Sequence, residues 1–206
     1  KKIAVIIPVH NEAESIGRVI EALPDFVDEI IVVNDGSTDQ TADVLRRYSC
    51  TVVTHDKCLG LGSAFRSGIQ TALQTGCDLA VTVDGDNQFD VSFIAQLIAP
   101  IIEGKADVVL GSRFYQGTFP RGIPPAKLWG NRLVSFIVSR IAQHRFWDVS
   151  CGFRAYTREA LLRLNIFGRF TYTHESILAL VFQGMRLTPR SRLGAAVTGI
   201  SVNRIP

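Results

Sequence analysis

Short β-branched apolar runs alternate with segments of helical period through the first half of the chain. Ile3–Val9 is apolar throughout, as a strand covered on both faces should be. Ile16, Val19, Ile20 and Leu23 then share one face of a helix predicted over residues 14–23, which Pro24 ends. Further strands are predicted at 30–33, 51–54, 79–83 and 107–111. Between them fall helices at 41–48, at 63–75 (closed by Gly76) and at 91–102 (with Asp90 as N-cap). This alternation predicts βαβ units and a Rossmann-like α/β/α sandwich with a mostly parallel central sheet. No repeat, linker or low-complexity stretch interrupts the chain, so residues 1–206 read as one domain.

Past Ser112 the pattern loosens. Gly117, Pro120, Gly122, Pro124 and Pro125 mark a stretch longer than a turn, of the kind that binds or closes over ligand. A helix is predicted over 127–145, where Leu128, Trp129, Leu133, Phe136, Ile137 and Ile141 are interspersed with Arg132, Arg140 and Arg145. Two readings fit it: a basic amphipathic helix on an anionic membrane surface, or a core helix whose arginines reach back to solvent.

At 206 residues and 47% apolar the chain is long enough to bury its own core, and neither disorder, collagen nor a disulfide scaffold fits. Cys50, Cys58, Cys77 and Cys151 lack CxxC spacing, which gives no sign of a zinc cluster or a thioredoxin-type motif and reads as reduced thiols. No run approaches the roughly 18 apolar residues of a membrane span, and Ile3–Ile7 is too short for a signal peptide. The chain is therefore expected to be soluble or peripheral. Net charge is only +3, yet residues 1–103 hold 7 basic against 15 acidic groups, and residues 104–206 hold 15 against 4. That asymmetry reads either as solvated helix faces or as two unlike sites, one for a cation and one for an anion.

Ligands of an open parallel sheet bind beyond the carboxyl ends of the strands. There the chain places His10-Asn11-Glu12 after the first strand, Asn34-Asp35-Gly36-Ser37-Thr38-Asp39 after the second and Asp84-Gly85-Asp86-Asn87-Gln88 after the fourth. Each alone is also ordinary turn chemistry. Asp84 and Asp86, with Gly85 between them, would repel each other unless solvated or bridged by a hard cation, and oxygen ligands with open positions suit Mg²⁺ or Mn²⁺ held jointly with a phosphate. The first strand–helix turn lacks GxGxxG, no P-loop, GxSxG or HExxH is present, and Gly60-Leu-Gly62 is a weak glycine signal. Candidate anion ligands are Arg113, Arg154, Arg190 and Arg192. Nucleic acid is disfavoured by the acidic half and by the lack of any reading motif.

Taken in order, Val5-Ile-Ile-Pro-Val-His-Asn-Glu12, Ile30-Ile-Val-Val-Asn-Asp-Gly-Ser-Thr-Asp39, Gly60-Leu-Gly-Ser-Ala64, Val83-Asp-Gly-Asp-Asn-Gln88, Gly111-Ser-Arg-Phe114 and Cys151-Gly-Phe-Arg-Ala-Tyr156 resemble the family 2 glycosyltransferases of GT-A fold. Within that family the match is to the polyprenyl-phosphate (dolichyl-phosphate) sugar synthases, over about residues 3–185. The resemblance implies a nucleotide-sugar and metal half (1–111) and an acceptor half (112–206). Pro8, Asn11, Glu12, Asp35, Gly60, Asp84 and Asp86 would bind the donor, with Asp35 at the base or ribose. Asp84, Asp86 and Gln88 would hold Mg²⁺ or Mn²⁺, with Asp86 and Arg113 catalytic. Arg113, Lys127, Arg190 and Arg192 would meet the acceptor phosphate, Lys127 standing where relatives carry an arginine. The match ends worst: after Met185-Arg-Leu-Thr188 relatives continue into a strand and then a basic loop, whereas here Pro189-Arg-Ser-Arg192 follows at once, which reads as a shortened loop or as residues missing from this sequence.

The implied reaction is inverting transfer from a UDP- or GDP-sugar to a polyprenyl phosphate, peripherally on the cytoplasmic face of a membrane, with homo-oligomers admitted. A phosphate dianion needs no general base. The alternatives are a hydroxyl acceptor, for which Glu175 at the start of its helix is the candidate base, and a nucleotide-sugar-binding module without turnover; a structural first-turn glutamate is the competing reading of Glu175.

Overall fold

The computed structural model describes residues 1–112, 125–143, 145–166, 168 and 172–191. Seven strands form one sheet: β1 (Ile3–Val9), β2 (Glu29–Asp35), β3 (Thr51–His55), β4 (Leu79–Thr82), β5 (Val108–Ser112), β6 (Arg154–Thr157) and β7 (Leu187–Ser191), in the order β3-β2-β1-β4-β6-β5-β7. Every neighbouring pair is parallel except those of β6, which runs antiparallel to both β4 and β5. The helices are α1 (Ile16–Glu21), α2 (Thr41–Leu45), α3 (Leu61–Gln74), α4 (Ile94–Ile102, after a 3-10 turn at Val91–Phe93), α5 (Pro125–Ile141), α6 (Arg158–Arg163) and α7 (Thr173–Phe182).

The apolar run of β1 is buried at every position because successive side chains feed opposite faces of the sheet. Ile3, Val5, Ile7 and Val9 join α1 and α4 in one core, while Ala4 and Ile6 join α3, α6 and α7 in the other. Gly68 lets α3 sit directly on Ile6 and Val33, where a side chain would collide.

Compared with the sequence expectations, α1 is shorter at both ends and α2 stops at Leu45, while α3 begins two residues early. Asp90 caps as expected, accepting from the Ser92 N–H at 3.0 Å. Pro125 opens α5 earlier than expected, its missing N–H being unneeded in the first turn, and the helix ends at Ile141 rather than Arg145. Where the family match fits worst, β7 runs through Pro189 to Ser191 at the sheet edge, where a strand tolerates proline. The Gly/Pro-rich stretch as far as Pro124, with Arg113, and also Arg192, lie outside the described residues, as do the side chains of Lys127 and Arg190. No helix of the described residues is long and apolar enough to cross a membrane.

Candidate active site

Because β2, β1 and β4 are adjacent and parallel, their carboxyl ends bring the three acidic stretches to one edge. The first two are knitted together through Asn11, which adopts a left-handed backbone (φ 57). Its Oδ1 accepts from the N–H groups of Thr38 (2.8 Å) and Asp39 (3.3 Å), and its own N–H donates to Ser37 Oγ (2.9 Å). Asp39 Oδ2 accepts from the Ala13 N–H at 3.2 Å, and the Glu12 N–H donates to Thr41 Oγ1 at 2.9 Å. The Asn11 side chain thus holds the rim of the site. Pro8 is buried within β1, beneath Gly85, and belongs to the wall behind the site.

Asp35, only 3% exposed, is the brace of the second loop. Its carboxylate accepts from His55 Nδ1 (2.6 Å), the Leu59 N–H (2.9 Å), the Gly60 N–H (2.8 Å) and, more weakly, the Cys58 thiol (3.4 Å). Burial pushes its pKa up, but these four donors outweigh that and hold it below the ordinary aspartate value. His55 Nε2 shares a further hydrogen bond with Ser67 at 2.9 Å. Gly60, at φ 94, turns the chain into α3. His55, Cys58 and Ser67 carry no sequence signal for this site, since nothing in their local pattern ties them to Asp35.

Asp84 and Asp86 follow β4 as a half-exposed turn in which Asp86 Oδ1 accepts from the Gln88 N–H at 3.0 Å. Gln88 itself is exposed. Glu12 faces this turn: burial raises its pKa, a Ser15 hydroxyl bond opposes that, and the nearby charges of Asp86 and Asp39 raise it further. Among the described residues no group of three or more His, Cys, Asp or Glu side chains is placed to hold a metal ion. Asp84 and Asp86 alone offer a sparse, oxygen-only donor pair, which fits a hard cation that takes most of its positions from a ligand.

On the far side, Gly152 touches this turn. A Cβ there would fall 2.7 Å and 2.9 Å from the two carboxylate oxygens of Asp84, so glycine is what lets the loop pass. Arg154 fixes that loop from below. Only 1% exposed, it donates to the carbonyls of Cys151, Val149 and Thr173 and to Ser176 Oγ, each at 2.8 Å. This overturns its candidacy as an anion ligand, because its donors are engaged internally and no ligand can reach it. The sequence missed Gly152 as a packing partner of Asp84, although its motif was visible. Glu175 lies half-buried in the first turn of α7, where its Oε2 accepts from the Gly168 N–H at 3.0 Å. The neighbouring His174 has its pKa lowered by burial and by Arg154, against the pull of Asp148.

The model of "Glycosyl transferase family 2" matches residues 4–164. The UDP-N-acetylglucosamine–dolichyl-phosphate N-acetylglucosaminyltransferase of Methanococcus voltae is 31% identical over 183 residues, covering 80% of this chain and 73% of that protein. The polyprenol monophosphomannose synthase of Mycolicibacterium smegmatis is 29% identical, over 79% of this chain and 64% of its own length. Among solved structures, glucosyl-3-phosphoglycerate synthase from Mycobacterium tuberculosis in complex with UDP superposes with a TM-score of 0.75 at 23% identity, covering 100% of this chain and 73% of that one. The family match therefore spans both the strand-end carboxylates and the Gly152–Arg154 loop that supports them, and the chain belongs to glycosyl transferase family 2.

Proposed function

We propose that the chain moves a sugar from a nucleotide-diphosphate sugar to a polyprenyl phosphate, with inversion at the anomeric carbon, as a peripheral protein of the cytoplasmic face of a membrane. The observation that carries this is the convergence of the Asp84–Asp86 turn with Glu12 and the braced Asp35 loop at one sheet edge. Relatives whose names specify dolichyl, polyprenol and dodecaprenyl acceptors support the acceptor class.

Asp84 and Asp86, with Gln88 beside them, would hold Mg²⁺ or Mn²⁺, which supplies a Lewis acid to the donor diphosphate when bound. The chain's own residues do the rest. The Asp35 carboxylate presents negative charge to a base or ribose N–H or O–H, with the thiol of Cys58 as its most weakly held present donor. Asn11 and Asp39 keep the β1 and β2 loops in register, so the donor meets a preformed rim. The acceptor phosphate is assigned to Arg113, with Lys127, Arg190 and Arg192 as further cations, on the family resemblance. A phosphate monoester is largely dianionic at neutral pH, so it attacks without a general base.

The test is incubation with a panel of UDP- and GDP-sugars and a short polyprenyl phosphate in detergent, with and without Mn²⁺. Cation-stimulated appearance of label in the lipid fraction is expected. Donor binding without transfer to any acceptor would leave only a nucleotide-sugar-binding module.

A further inference from the structure

The amphipathicity of α5 is inverted. Trp129, Leu133, Phe136, Ile137 and Ile141 recur at helical spacing on one side and are all between 44% and 69% exposed, and Trp147 just beyond the helix is 45% exposed. The side turned to the protein is largely small and polar. Ser139 Oγ accepts from the Phe146 N–H (2.9 Å), Ser135 Oγ from the Val149 N–H (3.3 Å), and Asn131 Oδ1 from Ser150 Oγ (2.8 Å), around a narrow apolar contact at Val134 and Val138. A helix of a water-soluble domain shows the opposite arrangement, and a contiguous apolar face of this size marks an interaction surface.

We propose that this face of α5, continued by Trp147, docks on an anionic lipid bilayer and so presents the acceptor half of the site to its lipid. The inference rests on the polyprenyl-phosphate reading. Charge selects the occupant. Residues 125–147 contain Lys127, Arg132, Arg140 and Arg145 and no acidic residue, and Arg145 stacks on the Trp147 ring at 3.9 Å. Basic groups flanking aromatic and aliphatic side chains match a bilayer interface, where the rings reach the acyl boundary and the guanidinium groups meet phosphate. A two-fold pairing of this face with a second copy would instead oppose like charges. The placement also serves the site: the inward side of α5 holds residues 146–150, which lead directly to Gly152 against Asp84.

Trp129 and Trp147 are the only tryptophans of the chain, so intrinsic fluorescence reads this face alone. Phosphatidylcholine vesicles with and without phosphatidylglycerol, carrying brominated acyl chains, are the probe. A blue shift and quenching on the anionic vesicles are expected, with partition weaker by about a hundredfold on neutral ones if three arginines each contribute about fivefold. The Phe136→Ser/Ile137→Ser variant should lose about a further hundredfold on anionic vesicles, while Phe182→Ser, equally exposed but on α7, should not. Circular dichroism establishes that each variant is folded. Absent quenching, or quenching that the double substitution leaves intact, overturns the proposal, as does vesicle-independent self-association abolished by the same substitutions. Sugar transfer to a short polyprenyl phosphate in detergent should survive in the double variant. If the unmodified chain docks yet transfers nothing, the lipid-acceptor reading fails and the docking face stands.

Discussion

Gly152→Ala separates the architecture of the cation site from the stability of the fold. The backbone at Gly152 is not left-handed, so alanine meets no conformational penalty there. Its Cβ, however, would stand 2.7 Å and 2.9 Å from the Asp84 carboxylate oxygens and 3.1 Å from the carbon between them. The obstacle is the end of a side chain, so Asp84 turns aside while the strands stay in place. A retreat of about 0.5 Å restores an ordinary contact, and that exceeds the tolerance of about 0.2 Å within which a metal ligand must be held. The expected result is a loss of less than about 1 kcal/mol in stability together with a fall of about 10- to 100-fold in cation-dependent donor affinity. Titration calorimetry of UDP and GDP with and without Mn²⁺, beside a thermal unfolding curve, measures both quantities. An unchanged Mn²⁺ dependence in the folded variant would refute the reasoning, because it would mean that Asp84 can be displaced without consequence for the cation.

Asp86→Asn keeps an acceptor for the Gln88 N–H but removes the charge, and should abolish Mn²⁺ or Mg²⁺ stimulation of transfer; a wild-type cation response would exclude Asp86 as a ligand. Arg154→Met strands three buried carbonyls and should cost about 3–5 kcal/mol in urea unfolding, with a cost under about 1 kcal/mol contradicting its role as the brace of the 149–152 loop. Asp35 has a folded pKa below its ordinary 3.8, so its contribution is present above that value and disappears as pH falls through the lower folded one. Asp35→Asn should therefore be less stable than the parent at neutral pH and converge with it in acid, and parallel denaturation curves at every pH would argue against the four-donor brace. Glu175→Gln should retain transfer to a phosphate acceptor, which has no need of a base, whereas near-total loss of turnover would favour a hydroxyl acceptor.

The parallel half of the fold was legible because each of its strands is an apolar run followed by a helical period, and the order of acidic stretches marked the functional edge. The second half was not, for identifiable reasons. β6 has four residues and inserts antiparallel between β4 and β5, a placement set by long-range pairing that no local period encodes. Arg154 looked like a ligand because sequence shows a charge but not its partners, which arrive from the 149–151 loop and from α7. In α5 the apolar stripe was visible, yet periodicity cannot tell which side meets the protein. Hydrogen bonds accepted by Asn131, Ser135 and Ser139 decide that.

The opposed charges of the two halves also resolve into separate causes. Several acids of the first half tie loops together: Asp28 accepts from the Ile3 N–H, Asp78 from the Lys2 N–H, and Asp39 from Thr41. Several cations of the second half likewise close the fold, Arg158 on the carbonyls of Leu73 and Cys77, Arg186 on Asp107, and Arg163 on the Gln183 carbonyl. Charges engaged in this way specify the structure and attract no ligand. What distinguishes the Asp84–Asp86 turn is that a third carboxyl, Glu12, lies beside it, pushed toward its neutral form first by burial and then by the charges of Asp86 and Asp39. The part of that shift that comes from Asp86 and Asp39 is a like-charge cost that a divalent cation would relieve. A cation would be drawn to this turn by that cost, and not by the overall acidity of the half that contains it.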